Sequence, residues 1–198
     1  MPAFTDIAFT PEVLAKQVKY GSRQDMAALE EAGAEQALLP VFLGNLVSDQ
    51  EFFYLATVGS NGWPYMQHKG GPAGFVKVLD AKTIAFADIN GNEQYLSLGN
   101  ISANPRVLAF FIDHQQGVRL KIWAEAELIE DDEQLAFELA MPGQDFVERA
   151  IKLHIKAWNV DCPRNIKLMA PMSELAKARL ELEEARRQIK TLQNSGSA

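Results

Sequence analysis

With 198 residues, 47% hydrophobic and 23% charged, the chain has ordinary globular composition and length enough for one domain with extra helix at each end. Its formal net charge of −7 argues against a nucleic-acid binder, which would show a basic face, and against a surface drawn to anionic lipid. A single cysteine, Cys162, excludes an intrachain disulfide and a cysteine-based metal cluster within one chain.

The N-terminal MPAFTDIAFTPEV lacks the basic and apolar regions of a signal peptide. The most apolar run, ALLPVFLGNLV, is too short to span a bilayer and carries Pro40, Gly44 and Asn45. A cytoplasmic, reducing setting is the expectation. Thr10 followed by Pro11 predicts a helix start, a hydroxyl cap and then proline at the first helical position. That helical pattern breaks around Gly21 and Ser22 and runs on to about Gly33.

From Glu51 to Leu128 the pattern is of strands. EFFYLATVG is aromatic and β-branched, Ser60-Asn61-Gly62 signals a hairpin, and Trp63 to Lys69 reads as the returning strand. Gly70, Gly71, Pro72 and Gly74 interrupt before Phe75 to Leu79, and Asp80-Ala81-Lys82 turns the chain into Thr83 to Ala87. Ser97 to Asn104 predicts a short helical excursion, followed by strands at Arg106 to Ile112 and Arg119 to Leu128. In the last, Leu120, Ile122, Ala124, Ala126 and Leu128 share one face, the alternation of a strand with one buried side.

At least five strands with short turns point to an antiparallel barrel. Beyond residue 130 the chain reads as helix, breaks at Pro142 and Gly143, and adds a strand near Arg149 to Trp158. Ser173 to Gln193 is a charged helix with Leu175, Leu182 and Ile189 seven apart, and Ala178, Ala185 and Leu192 three after each. That seam fits a partner or dimer helix, or a helix packed on its own domain. The expected division is a domain at 1–172 and a charged helix with a frayed tail at 173–198.

His68, His114 and His154 have no metal-ligand spacing, and no GxSxG, Walker or GxGxxG motif occurs. His114 reads as a solvated loop residue, His154 as a strand residue and Cys162 as a turn thiol. Two segments could hold a ligand, PYMQHKGGPAGFVKVLD and FADINGNEQYLSLGNISANP. The first offers His68 and Lys69 as phosphate ligands before a glycine bend that lets a ligand approach. The second offers Asn90, Gly91, Asn92 and Gln94 beyond a strand. Both also read as plain loop and turn.

These segments resemble the pyridoxamine 5'-phosphate oxidase-related FMN-binding family, whose members carry QHRGGPxGFxKVLD followed by FADxxGNRQYxxxGNxxxNP. The matching residues run from Gln67-His68-Lys69-Gly70-Gly71-Pro72 through Lys77 to Asp80, then Phe86-Ala87-Asp88, Gly91-Asn92, Gln94-Tyr95, Gly99-Asn100 and Asn104-Pro105. RLKIW at Arg119 to Trp123 and AWNVDCP at Ala157 to Pro163 follow in order.

The resemblance implies an α+β fold, an antiparallel split β-barrel with flanking helices, and a homodimer with FMN at the interface. It implies Lys69 on the phosphate, and Gln67, His68, Asp88, Asn92 and Gln94 on the phosphate, ribityl chain or ring edge. Trp158 would come from the partner subunit to cover the ring. Lys69 and Glu93 stand where the family often has arginine. The implied function is an FMN-dependent oxidoreductase acting on an unidentified small molecule. The alternative is a non-enzymatic flavin- or haem-binding dimer. Neither a nucleic acid nor a membrane is expected as partner. Trp158 is followed by Asn-Val-Asp-Cys-Pro-Arg164, which does not match the C-terminal Trp-to-Arg-Leu pattern of true pyridoxamine phosphate oxidases.

Overall fold

The computed structural model describes residues 3–32, 38–89, 91–141, 147–161 and 163–195. The readings placed on Gly33, Asn90, Pro142, Gly143, Cys162 and the last three residues lie outside the described residues. Two units separate, one of residues 1–113 with 118–162 and one of 114–117 with 163–198.

In the first unit seven strands form one sheet: β1 (Phe52–Val58), β2 (Pro64–Gly70), β3 (Val76–Asp80), β4 (Thr83–Ile89), β5 (Arg106–Asp113), β6 (Val118–Ile129) and β7 (Val147–Asp161). Their order is β2-β1-β5-β6-β7-β4-β3, and every neighbouring pair is antiparallel. The sheet does not close, because β2 and β3 remain its edges. This is the split barrel, with helices on its flanks.

Alternation builds the core. Phe53 and Leu55 on β1, Ala109 and Phe111 on β5, and Leu120 and Ile122 on β6 are all fully buried. Phe53 lies at the centre, its ring centroid 4.9 Å from Phe111 and 5.2 Å from Phe86 of β4. Along β6, Leu120 to Ala126 keep the expected inward face. A register shift opposite Trp123 and Ala124 leaves Lys156 of β7 as an extra residue. Lys156 reaches Glu125 at 2.7 Å, and that hydrogen bond, more than the opposing desolvation, holds the Glu125 carboxyl below its usual range.

Seven helices complete the described chain: α1 (Phe4–Ala8), α2 (Pro11–Tyr20), α3 (Arg23–Ala32), α4 (Val41–Asp49), α5 (Leu96–Ala103), α6 (Glu133–Leu139) and, in the second unit, α7 (Met172–Ser195). The Thr10 hydroxyl accepts from the Val13 amide, and Gly21, at φ 79°, ends α2. Two helices add to what the sequence pattern predicts. In α1, Phe4 stacks on Trp123 at 5.9 Å and covers the outer face of β6. The apolar run around Pro40 becomes α4, which buries Leu43, Gly44 and Val47 against the sheet. Gly44 faces the Val78 methyls, where a β-carbon would make ordinary contact at 3.7 Å. No helix among the described residues is long and apolar enough to cross a membrane.

Because Phe53 joins both halves of the sheet, Phe53→Ala should cost about 3–5 kcal/mol of stability. Urea unfolding measures this, and a loss under about 1 kcal/mol would show that the centre repacks without it.

Candidate functional site

The edge strand β2 carries the first part of the site, and its register decides which side chains take part. Tyr65, Gln67 and Lys69 pair with Thr57, Leu55 and Phe53 and so share the inner face. His68 pairs with Tyr54 and turns outward. Its ring stacks on Phe52 at 5.4 Å and meets Tyr54 edge-on at 5.8 Å.

Lys69 extends across the split in the barrel. Its Nζ lies 2.7 Å from Oδ1 of Asp88 on β4. The other Asp88 oxygen is 3.4 Å from Nη1 of Arg149, which stands opposite Asp88 on β7. Arg149 Nη2 donates to Glu148 at 2.7 Å, and its Nε lies 3.6 Å from Glu130. The Lys69, Asp88, Arg149 and Glu148 side chains are each only 10–15% exposed. At that depth a lone charge is costly, and each of the four has an opposite charge beside it.

Glu148 owes its place to a β-bulge. The pairs Asp88↔Arg149 and Ile89↔Val147 leave it as the extra residue on β7. Bulges redirect side chains, and this one brings a carboxylate beside the arginine.

The other wall is the turn into α5. Asn92 Oδ1 accepts from the Gln94 amide at 3.3 Å, while Glu93 and Tyr95 adopt positive φ values of 56° and 52°. Two non-glycine residues in that region store strain on the order of 1–3 kcal/mol each, a cost typical of functional turns. The Arg149 guanidinium lies 5.7 Å from the centre of the Tyr95 ring. Ser97 donates to Gln67 at 2.7 Å, and Asn100 donates to Thr57 at 2.9 Å, so α5 is tied to β1 and β2. No side chain caps the N-terminus of α5. Its first-turn amides are therefore oriented to receive an anion.

Between these walls lies a cleft of about 70 Å³. Gln67, Lys69, Asp88, Asn92 and Gln94 of the sequence-predicted set all line it. His68 and Trp158 do not. Trp158 is buried in its own chain, where its Nε1 donates to the Leu38 carbonyl at 3.0 Å. Gly91 lines the cleft, but Gly70 and Gly71 do not. At Gly71 a β-carbon would sit 2.7 Å from Phe75, so this glycine serves close packing beneath the barrel edge.

Arg149, Tyr95 and Ser97 complete the surroundings without having been singled out in the sequence. For Arg149 a signal exists: Arg149, Ile151, Leu153 and Ile155 alternate along β7, and a charge continuing a buried face needs a partner there.

Residues 43–162, more than half of the chain, match the family model for pyridoxamine 5'-phosphate oxidase. The chain belongs to the pyridoxamine 5'-phosphate oxidase family. Among solved structures, HupZ of Group A Streptococcus shares the fold, with a TM-score of 0.53 and 17% identity over 67% of this chain and 100% of that one. A Lactobacillus delbrueckii protein, provisionally named as a pyridoxamine 5'-phosphate oxidase, aligns with a TM-score of 0.50 and 25% identity. That match covers 62% of this chain and 94% of the other. No curated protein sequence matches the chain.

Removing the central carboxylate should expose the demand for an anion. Asp88→Asn leaves Lys69 and Arg149 with one buried counter-charge and should cost on the order of 3 kcal/mol. Inorganic phosphate at about 100 times its Kd should restore about 2.7 kcal/mol, and it should shift the variant's melting temperature more than the parent's. Unchanged stability, or a variant no more responsive to phosphate than the parent, would contradict this view of the cluster.

Proposed function

We propose that the cleft receives the phosphate of FMN, that two copies of the chain form two such sites, and that the loaded dimer is an oxidoreductase of a small molecule. The observation that carries this reading is convergence. Lys69 and the uncapped first turn of α5 meet at one cleft of about 70 Å³, and Arg149 stands behind its Asp88 and Glu148 wall. Its volume suits a phosphate group, and the rest of a flavin must lie beyond it. Asn92, Glu93, Gln94 and Tyr95 form an exposed rim on that side.

In this reading Lys69 and the α5 amides hold the phosphate, and Arg149 braces the Asp88 and Glu148 carboxylates behind it. Gln67, Asn92 and Gln94 supply amides for the ribityl chain or ring edge. Asp88 holds Lys69 in position, so phosphate binding requires Lys69 to exchange one anionic partner for another. Glu93 stands at the rim where the family often carries arginine, and with Asp88 and Glu148 it outweighs Lys69, so the cleft is net acidic and its affinity for FMN is modest. His68 and Trp158 belong to the proposal only as contacts across the dimer, since neither faces the cleft of its own chain. FMN would supply two-electron redox chemistry at its ring, while these residues bind and orient it. The substrate is left as a small molecule, because fold and cofactor do not determine it.

The dimer part rests on the outer face of β1 and β2. Phe52 and Tyr54 are half-buried there and Met66 is exposed, an apolar surface suited to a second copy. The division at residue 172 belongs to the same reading. Both the full chain and one ending at Pro171 should sediment at twice the chain mass and bind FMN. A 22.0 kDa species at micromolar concentration would exclude the shared site.

Fluorescence titration of Lys69 variants tests the phosphate assignment. Loss of a charge-assisted hydrogen bond costs about 1.5–3 kcal/mol, or about 10- to 150-fold in affinity. Lys69→Ala should weaken FMN by that much and riboflavin far less. Lys69→Arg should bind FMN at least as well, since its fork can engage two oxygens. Equal weakening of both flavins, or of neither, would remove Lys69 from the phosphate.

A further inference from the structure

The second unit ends in α7, whose 24 residues span about 36 Å. Every α7 side chain from Met172 to Gln193 that the structure describes is exposed, including Leu175, Leu182 and Ile189. These three fall at one position of a heptad, and Ala178 and Ala185 fall three residues later, which makes a single apolar seam.

The charges beside that seam are sorted. The residues preceding each leucine of the first two heptads are Glu174 and Glu181, and those following each alanine are Arg179 and Arg186. In a parallel, in-register pair of helices, each flanking residue of the first kind faces the residue five positions later on the other helix. Glu174 then meets Arg179 of the partner subunit, and Glu181 meets Arg186 of the partner subunit. Both encounters occur twice by symmetry. An antiparallel pair would set glutamate against glutamate and arginine against arginine along the same seam.

We propose that α7 pairs with α7 of a second copy of this chain as a parallel, two-stranded coiled coil. Three heptads, two of them with alanine at the second core position, are too short to associate strongly in isolation. The proposal therefore rests on the paired barrels for the local concentration that a tether supplies. The coil in turn closes the assembly at its C-terminal end.

Disulfide capture in the full chain, with Cys162→Ser as background, tests register and direction together. Ile189→Cys places two thiols face to face near one end of a parallel seam, whereas an antiparallel pair would separate them. Mild oxidation should convert this variant to a covalent dimer, and Lys190→Cys, on the outer side of the helix, should remain monomeric on a denaturing gel. Adding Arg179→Glu with Arg186→Glu to the Ile189→Cys chain should abolish the covalent dimer.

Equal capture at positions 189 and 190, capture at neither, or capture that survives the charge reversal would each overturn the coiled coil. The two readings also fail separately. A chain ending at Pro171 that still dimerises and binds FMN leaves the cleft standing when capture fails. A monomeric truncated barrel with position-specific capture intact removes the shared cleft, and the coil then pairs without help from the barrels.

Discussion

The ion pair between Lys69 and Asp88 spans the gap that the sheet leaves open. β2 is one edge of the sheet and β4 lies next to the other, so no backbone ladder joins them. Among the contacts that cross the split are the aromatic packing of Phe53 on Phe86 and a lysine ammonium 2.7 Å from an aspartate. A buried lysine and aspartate can be held only if each answers the other, and this requirement fixes the rotamers around the cleft. Arg149 and Glu148 extend the same neutral cluster along β7. The candidate site is thus built on the interaction that holds the two halves together.

That arrangement has consequences for recognition. A cluster balanced in charge is stable without an anion, which suits a protein of net charge −7. In the proposed reading, phosphate attraction comes less from excess positive charge than from direction. The first turn of α5 and Lys69 both line one small volume, while Arg149 is held behind it by Asp88 and Glu148. Preorganised donors discriminate by geometry, so a flavin with a phosphate should gain relative to one without it. The strained turn at Glu93 and Tyr95 keeps α5 in that orientation, helped by the bonds from Ser97 and Asn100 to β2 and β1.

Much of the barrel was legible in the sequence because strands with one buried face alternate strictly. Leu120 to Ala126, Phe53 with Leu55, and the Ser60-Asn61-Gly62 turn announce themselves. The helix at Thr10 and Pro11 was legible from its cap. α4 was not, because Val41 and Phe42 leave its outer side as apolar as its inner one and erase the helical period. In the site, strand alternation alone allowed Gln67 and Lys69 on one face but not His68 with them, a constraint that family similarity does not carry. The partnership of Lys69 with Asp88, nineteen residues apart, and with Arg149 beyond it depends on the split in the sheet. No local pattern could disclose it. The glycine pair at 70–71 was read as room for a ligand, whereas Gly71 is needed for contact with Phe75.

In the proposed reading one cleft serves both as the seam of the barrel and as a phosphate site. A crystal structure of the protein with FMN tests it most directly. The phosphate is expected at the first turn of α5, within hydrogen-bond distance of Lys69 Nζ, with the Lys69–Asp88 contact lengthened or opened. FMN bound elsewhere, with the Lys69–Asp88 pair intact and the cleft holding only water, would contradict it.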